Sequence, residues 1–283
     1  FITTVLAKQY RSSFAYKNGI TNAFLCSFYR VATLGSGSGV AAIIYLGEHG
    51  IEYGGGFGLY MIQYALHKIS IALFSAIFFV MNWEFMRNWF GDYAGLLAAG
   101  YVLTLVITLG LFLFCCSNRF HHLICRLLDF ANQKFHGKFE IMAEEIKRQC
   151  MMLEDASNHL MKNKKVTTEV IFLCLLKCCF WYGIPYLLFK GVRFQENPAL
   201  TLAQVLAITS LSVMLAAVIP SPAGIGSTEF VFTSLFAGIV GTGMAGSASL
   251  LYRFGTFVFP FLVGTVVVIV RHIRRKRASE DLI

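Results

Sequence analysis

Apolar runs long enough to cross a lipid bilayer recur along this chain, and most polar residues lie between them. An α-helix needs about 20 apolar residues to span the hydrocarbon layer, because each residue advances the helix by about 1.5 Å. The pattern predicts membrane-crossing helices over residues 54–81, 93–116, 166–189, 200–219 and 249–270. We expect Lys177 and Pro185 to interrupt the third of them.

The segments between these helices are of three kinds. Residues 118–165 form a long polar stretch whose apolar positions recur every three or four residues, which predicts amphipathic helices on the membrane surface or against the core. Trp83 and Trp89 bracket a short segment that we expect to be an interfacial loop. Shorter apolar runs cover residues 18–34, 40–46 and 230–240.

The composition is that of a polytopic, all-α integral membrane protein. Hydrophobic residues make up 57% of the chain and charged residues 14%, and the mean hydropathy is +0.64. The net charge of +9 is concentrated at the two ends and in residues 118–165, so the positive-inside rule places these parts, including the tail 271–277, in the cytoplasm. No nucleic-acid motif accompanies the charge, and we expect no nucleic-acid partner.

Two breaks in the apolar pattern are the most informative features. The first is Gly35-Ser-Gly-Ser-Gly39, and the second is the stretch 220–229, which holds two prolines, two glycines and a carboxylate. Proline removes an amide donor and glycine permits tight turns, so both stretches interrupt a helix. Irregular backbone is not tolerated against lipid, and it is therefore expected to line a cavity or pack inside the protein.

Paired breaks of this kind are typical of transporters built as inverted repeats. We expect a single domain over residues 1–283, with an N-terminal half (1–117, break at 35–39), a cytoplasmic amphipathic region (118–165) and a C-terminal half (166–283, break at 220–227). Each break would be the tip of a re-entrant hairpin, the first entering from the cytoplasm and the second from outside. Residues 200–219 are also long enough to span fully, and the charge pattern is compatible with both topologies.

A half-helix beginning near Gly226 would direct free backbone amides and the positive end of its dipole at a lipid phosphate. The candidate lipid-binding residues around the breaks and in the crossing helices are Arg30, Ser36, Gly37, Ser38, Gly39, Lys68, Pro220, Pro222, Gly224, Gly226, Ser227, Glu229 and Arg253. The alternative for the serines and glycines is that they cap buried helix ends.

The charged candidates have two interpretations each. In the first, Arg253 binds a phosphate, and Glu229 orients Arg253 or binds a cationic head group. In the second, the two residues form a structural ion pair between helices. Arg30 and Lys68 would contact the anion in the N-terminal half, although Arg30 in particular is also placed to snorkel to an interface. Lys177 is ambiguous for the same reason.

No enzymatic machinery is evident. The chain has no nucleophile–base pair, paired carboxylates or phosphate-binding loop, so we expect no catalytic residues and no cofactor. His121, His122 and Cys125 lack a second ligand cluster, and no metal site is expected. The eight cysteines have no CxxC spacing and favour a reducing compartment without disulfides. The glycine run 54–58 begins a crossing helix and predicts close helix packing.

The residues at both breaks resemble the signatures of the lysylphosphatidylglycerol synthase transmembrane (flippase-like) family, the membrane domain of the multiple peptide resistance factor. The matching positions are Thr33 to Gly39 with Tyr45, Gly50 and Ile51 for the first signature, and Pro220, Pro222, Gly224, Gly226, Glu229 and Arg253 for the second. The proline common in the first signature is absent, and Ala223 stands where the second commonly has glycine.

The resemblance implies translocation of a phospholipid or lipid-linked head group, such as aminoacylated phosphatidylglycerol, across a bacterial cytoplasmic membrane, with a role in resistance to antimicrobial peptides. The alternative is a membrane component of a lipid head-group transferase that acts with a partner enzyme. Implied partners are anionic or aminoacylated phospholipids and either a second copy of the chain or that enzyme. The resemblance also leads us to expect helices before Phe1 and, since five residues follow Ala278, a free-standing form without the aminoacyl-transferase domain.

Overall fold

The structure is a computed structural model that describes residues 1–91, 93–134, 140–191 and 200–280. Regular secondary structure in these residues is helical throughout. The α-helices are α1 (Ile2–Tyr10), α2 (Tyr16–Ala32), α3 (Gly37–Glu48), α4 (Tyr53–Met81), α5 (Trp83–Phe90), α6 (Tyr93–Cys116), α7 (Asn118–Lys134), α8 (Glu140–Met161), α9 (Lys164–Gly191), α10 (Leu202–Ala216), α11 (Ser227–Val240), α12 (Thr242–Arg253) and α13 (Phe259–Glu280). A 3₁₀ turn (Pro222–Gly224) precedes α11, and a π-helical turn (Phe254–Val258) joins α12 to α13.

Five helical stretches are long and apolar enough to cross a membrane: Tyr53–Met81, Tyr93–Cys116, Lys164–Lys190, Pro222–Val240 and Thr242–Arg277. The fourth includes Ala223 and Gly226, which have positive φ angles of 55° and 86° and break the helix. The regular part, α11, has 14 residues and reaches about 21 Å, short of the ~30 Å hydrocarbon layer.

The two breaks are the tips of helical hairpins, α2–α3 and α10–α11, and these tips touch. A Cβ placed on Gly35 would lie 3.5 Å from the amide nitrogen of Ala223. Both residues have positive φ angles, 110° and 55°. The backbones of the two breaks are thus in direct contact, because no side chain separates Gly35 from the second tip.

The hairpins approach this contact from opposite ends of α4, the long helix at the centre of the fold. At the first end of α4, Gly56 packs against Ile43 and Leu46 of α3. At its other end, the side chain of Asn82 donates a hydrogen bond of 3.5 Å to the carbonyl of Ala203, beside the start of α10. The expected opposed arrangement of the two hairpins is therefore present in the fold.

One end of the molecule gathers α1, α7, α8 and the end of α13, and we call it the basic end. His159 of α8 hydrogen bonds the carbonyl of Gln9 at 2.9 Å, and Arg11 donates to the carbonyl of His49 at 2.7 Å. Glu48, which ends α3, pairs with Arg271 and Arg275 of α13. The amphipathic helices predicted for residues 118–165 are present as α7 and α8, with residues 135–139 outside the described part.

Two hydrophobic cores hold the hairpins in place. One surrounds the second hairpin and includes Phe232 and Phe236 of α11, both fully buried. The other lies at the basic end, where Gly58 lets α4 meet Ala156 of α8 so closely that an added Cβ would be 2.1 Å from the alanine methyl. The glycine run that begins α4 thus serves helix packing, as its sequence predicts.

Several boundaries differ from the sequence-based prediction. The segment between Trp83 and Trp89 is a helix, α5, instead of a loop. The expected interruption of α9 is wrong, since the helix continues through Lys177 and Pro185; loss of one amide donor is tolerated where the rest of a long helix holds the geometry. The first break covers residues 33–36, and Gly37 already begins α3.

Candidate anion-binding site at the helix breaks

The second break is shaped by its prolines and glycines. Ser221, held before Pro222, is extended at φ −151° and ψ 138°, and a single 3₁₀ turn follows. Positive φ angles at Ala223, Gly224 and Gly226 then redirect the chain before α11 begins at Ser227. The glycines adopt this conformation readily, whereas Ala223 is strained in it.

Glu229 uses both carboxylate oxygens at the start of α11. Its Oε2 accepts a hydrogen bond of 2.9 Å from the amide of Gly226, and its Oε1 accepts one of 2.6 Å from Nε of Arg253. A carboxylate in the first turn is also stabilised by the positive end of the helix dipole. Part of the anion-attracting capacity of this helix start is therefore used by the protein itself.

Arg253 connects the second break to the final helix. Besides Glu229, its guanidinium contacts the carbonyl of Gly224 through Nη2 at 3.3 Å and lies 4.2 Å from the ring centre of Phe257. Phe257 belongs to the π-helical turn between α12 and α13, and turns of this kind are frequent at functional sites. The side chain of Arg253 is only 10% exposed, so it is held in place rather than free in solvent.

Three further basic side chains, on separate helices, lie within electrostatic range of Arg253 or of one another, and Arg30 is common to all the pairs. Arg30 of α2 lies 5.8 Å from the ring centre of Phe257, so that this ring is shared by two guanidiniums. Arg30 interacts electrostatically with Arg253, with Lys68 of α4 and with Lys177 of α9. We call Arg30, Lys68, Lys177 and Arg253 the basic cluster.

The basic cluster is not neutralised within the part of the chain that the structure describes. Arg253 has Glu229 as its partner, and no ion pair there involves Arg30, Lys68 or Lys177. An unpaired charge at membrane depth costs about 2.5–3.5 kcal/mol on insertion scales. An excess of positive charge in this position therefore favours an anionic ligand.

Aromatic and imidazole groups of α4 and α9 support the lysines. Nζ of Lys177 is 3.4 Å from Nε2 of His67 and 4.3 Å from the ring centre of Trp181. Lys68 lies 5.5 Å from the ring centre of Tyr64. Such cation–aromatic contacts stabilise a charge without neutralising it.

The hydroxyl groups predicted to contact substrate are engaged within the protein. Ser227 is buried and hydrogen bonds Ser221 at 2.6 Å, and Ser36 donates to the carbonyl of Thr33 at 2.9 Å. Ser38 is 3.1 Å from the hydroxyl of Tyr60. Thr33 caps α3 by accepting a 2.6 Å bond from the amide of Gly37. The three serines thus bond a carbonyl or another hydroxyl, and only Thr33 among these residues bonds a helix amide.

The predicted residues divide by position. Gly39 and Ser38 lie beside Tyr60 of α4, on the side of the basic cluster, whereas Ser36 and Gly37 line a separate groove against α13. Pro220 and Pro222 are exposed at the second tip. Sequence reasoning named Lys68 but missed the two tyrosines that precede it at intervals of four residues on the same face of α4, Tyr64 and Tyr60.

These features define a class: a polytopic α-helical membrane protein in which two broken hairpins meet beside a cluster of basic side chains. A family model described as "Lysylphosphatidylglycerol synthase TM region" matches residues 3–264, and the chain belongs to that family. Its members' membrane domain is related to the handling of lipid head groups. Comparison with curated proteins and with solved structures found no match.

Proposed function

We propose that this protein translocates the phosphate-bearing head group of a phospholipid across the membrane, without nucleotide hydrolysis in its own chain. The observation that supports this most directly is the basic cluster, in which four cations from α2, α4, α9 and α12 interact electrostatically and, among the described residues, only Arg253 forms an ion pair, with Glu229. A lipid phosphate supplies the anion that such a cluster favours.

The position of the cluster suits a translocation pathway. Transporters with inverted repeats bind substrate near the membrane midplane, where broken helices from opposite faces meet. Here the tips touch at Gly35 and Ala223, and the hairpins reach that contact from opposite ends of α4. Small movements of one hairpin against the other would expose the cluster to either side in turn.

The hydrogen bonds that Glu229 already makes indicate which lipid the site would prefer. Both of its oxygens are occupied, by Arg253 and by the amide of Gly226. A cationic aminoacyl group would have to displace Arg253 to reach this carboxylate, whereas a phosphate meets three unpaired cations directly. We therefore propose an anionic phospholipid such as phosphatidylglycerol as the preferred substrate, with aminoacylated phosphatidylglycerol as a second, weaker one.

The proposed orientation follows from the charge distribution. The basic end carries the tail 271–277 and the helices α7 and α8, and basic segments remain on the cytoplasmic side. We propose that this end faces the cytoplasm of a bacterial cell, with the tryptophan-bearing α5 near the opposite interface.

Head-group flipping in proteoliposomes that contain only this protein tests the proposal. Fluorescent phosphatidylglycerol, lysyl-phosphatidylglycerol and phosphatidylcholine would be reconstituted separately, and the fraction accessible to an impermeant quencher followed with time. We expect fastest exchange with phosphatidylglycerol and loss of exchange in Lys177→Gln, while Lys190→Gln, at the exposed end of the same helix, behaves as the parent protein.

Failure to flip any of these lipids, from protein shown to be folded, would contradict the proposal. Activity that then appeared only with a soluble lipid-modifying enzyme would favour the alternative of a membrane component of a head-group transferase.

A further inference from the structure

A groove of about 580 Å³ lies between α2, α3 and α13, and runs from the first break to the basic end. Positions four residues apart on α3 line it from the first break to the basic end, beginning at Ser36 and continuing through Val40, Ile44 and Glu48. This distance is about 18 Å. Val40 and Ile44 are 59% and 49% exposed, so the protein leaves its apolar wall uncovered.

Charge is concentrated at one end of the groove. Arg271 and Arg275 of α13 both donate hydrogen bonds to the carboxylate of Glu48, one to each oxygen. His272 lies beside them in the groove wall. Burial raises the pKa of Glu48, but the bonds from Arg275 and Arg271 outweigh this and leave its pKa below the usual 4.5. Two arginines thus share a single carboxylate, so the positive charge exceeds the negative charge at this end of the groove.

The donors of Arg271 are not all used. Its Nη1 atom is buried and has no hydrogen-bond partner within the described residues, although its guanidinium also stacks 4.4 Å from the ring centre of Tyr45. A buried donor without a partner is unfavourable by about 1–3 kcal/mol. Arg271 itself lines the groove, so its guanidinium has hydrogen-bonding capacity that Glu48 and Tyr45 leave unused.

We propose that this groove binds one anionic phospholipid from the leaflet at the basic end, with its phosphate on Arg271 and Arg275 and an acyl chain along Val40 and Ile44. When lipid is absent, the carboxylate of Glu48 pairs with both arginines, and a bound lipid phosphate takes its place. The apolar wall and the paired arginines match the two parts of such a lipid, whereas a simple anion would leave the apolar wall uncovered.

The proposed site is distinct from the basic cluster. It rests on the membrane location of the chain and not on translocation, so a protein that bound lipid here without flipping it would satisfy this inference while contradicting the proposed function. The inner end of the groove reaches Thr33 and Ser36 of the first break, which makes it a loading position for the pathway if both proposals hold.

Equilibrium binding of phosphatidylglycerol to the purified protein in detergent, followed by native mass spectrometry, tests the site. Glu48→Gln removes the carboxylate that competes with the lipid phosphate for the two arginines. It should tighten phosphatidylglycerol binding about fivefold, as expected for loss of a partly exposed ion pair. The double variant Arg271→Gln/Arg275→Gln should weaken it at least about tenfold. Phosphatidylcholine, whose choline cation compensates its phosphate, should respond less than phosphatidylglycerol to both changes.

Matched controls separate this site from other sources of lipid affinity. Arg274→Gln removes an equal charge from the same helix but does not line the groove, and should leave binding at the parent level. Ile44→Trp, which fills the apolar wall, should weaken phosphatidylglycerol binding even if the arginine variants fold poorly. The effect of Glu48→Gln should persist in Lys177→Gln, since that residue belongs to the basic cluster.

Three results would overturn the proposal. They are unchanged phosphatidylglycerol affinity in Ile44→Trp, equal losses in Arg274→Gln and the double arginine variant, and binding of glycerol 3-phosphate as tight as that of the lipid.

Discussion

Nε of Arg253 donates a 2.6 Å hydrogen bond to Oε1 of Glu229, and this pair connects the end of α12 to the first turn of α11. The same carboxylate holds the amide of Gly226, and the same guanidinium reaches the carbonyl of Gly224. One ion pair thereby fixes the shape of the second break and sets the position of the most buried cation of the basic cluster.

The first prediction concerns this pair. Glu229→Gln and Arg253→Gln should each lower the rate of lipid exchange at least about tenfold, because a charge-assisted hydrogen bond is roughly twice as strong as a neutral one. Glutamine keeps the shape and an acceptor or donor at each position, so we expect protein abundance near that of the parent. Proteoliposome exchange and the yield of monodisperse protein are the measurements.

A purely structural pair behaves differently. In that case both single variants would lose folded protein, and the double variant Glu229→Gln/Arg253→Gln, which leaves no unpaired charge, would regain both folding and transport. Folding regained without transport would instead mean that the positive charge must stand where Arg253 stands.

The second prediction separates the basic cluster from general surface charge. Arg30→Gln and Lys68→Gln should slow phosphatidylglycerol exchange more than phosphatidylcholine exchange, because each removes a cation that has no ion-pair partner among the described residues. Arg87→Gln on α5, distant in sequence from the cluster, serves as the charge-matched control. Equal slowing of both lipids would indicate a packing defect instead of loss of an anion contact.

The third prediction concerns the turn before α11. Gly226 has a φ of 86°, and a Cβ added there would meet no atom within 4 Å. Gly226→Ala therefore tests backbone strain alone, which we expect to destabilise the protein by about 1–2 kcal/mol. Gly246, within α12, is equally open and has no positive φ; Gly246→Ala should be neutral or stabilising by up to about 1 kcal/mol. Thermal unfolding in detergent distinguishes the two, and a rise in midpoint for both would contradict the assigned turn.

The sequence predicts the helices and the breaks well, for simple physical reasons. Long apolar runs specify α4, α6 and α9, and the prolines and glycines at 220–226 specify the second tip because few conformations accommodate them. The expected half-helix does begin at Ser227, with Gly226 as its cap. Ala223, at φ 55°, shows that the chain adopts here the conformation for which the family signature commonly uses glycine.

The convergence of the cations could not be predicted in the same way. Arg30, Lys68 and Lys177 stand in three different helices, each as a charged residue in apolar surroundings, and only the packing of those helices brings them together. The spacing of Tyr60, Tyr64 and Lys68 indicates a shared polar face, but not what that face meets. The π-helical turn that places Phe257 between two guanidiniums has no sequence signal that we recognise.

The last prediction tests the contact of α13 with α2, which also forms one wall of the groove. A Cβ added at Gly264 would lie 2.4 Å from the carbonyl oxygen of Phe24 and 3.0 Å from Cβ of Phe28. Because the nearest atom is backbone, α13 would have to move away from α2, at a cost of about 1–3 kcal/mol typical of overpacking. Gly264→Ala should therefore lower the midpoint of thermal unfolding, while Gly110→Ala, with no atom within 4 Å of its added Cβ, should not. The same displacement would separate Arg271 from Glu48. In the Gly264→Ala background, Glu48→Gln should therefore no longer change the affinity for phosphatidylglycerol. If Gly264→Ala kept both the parent midpoint and the effect of Glu48→Gln, the two helices would not pack as described.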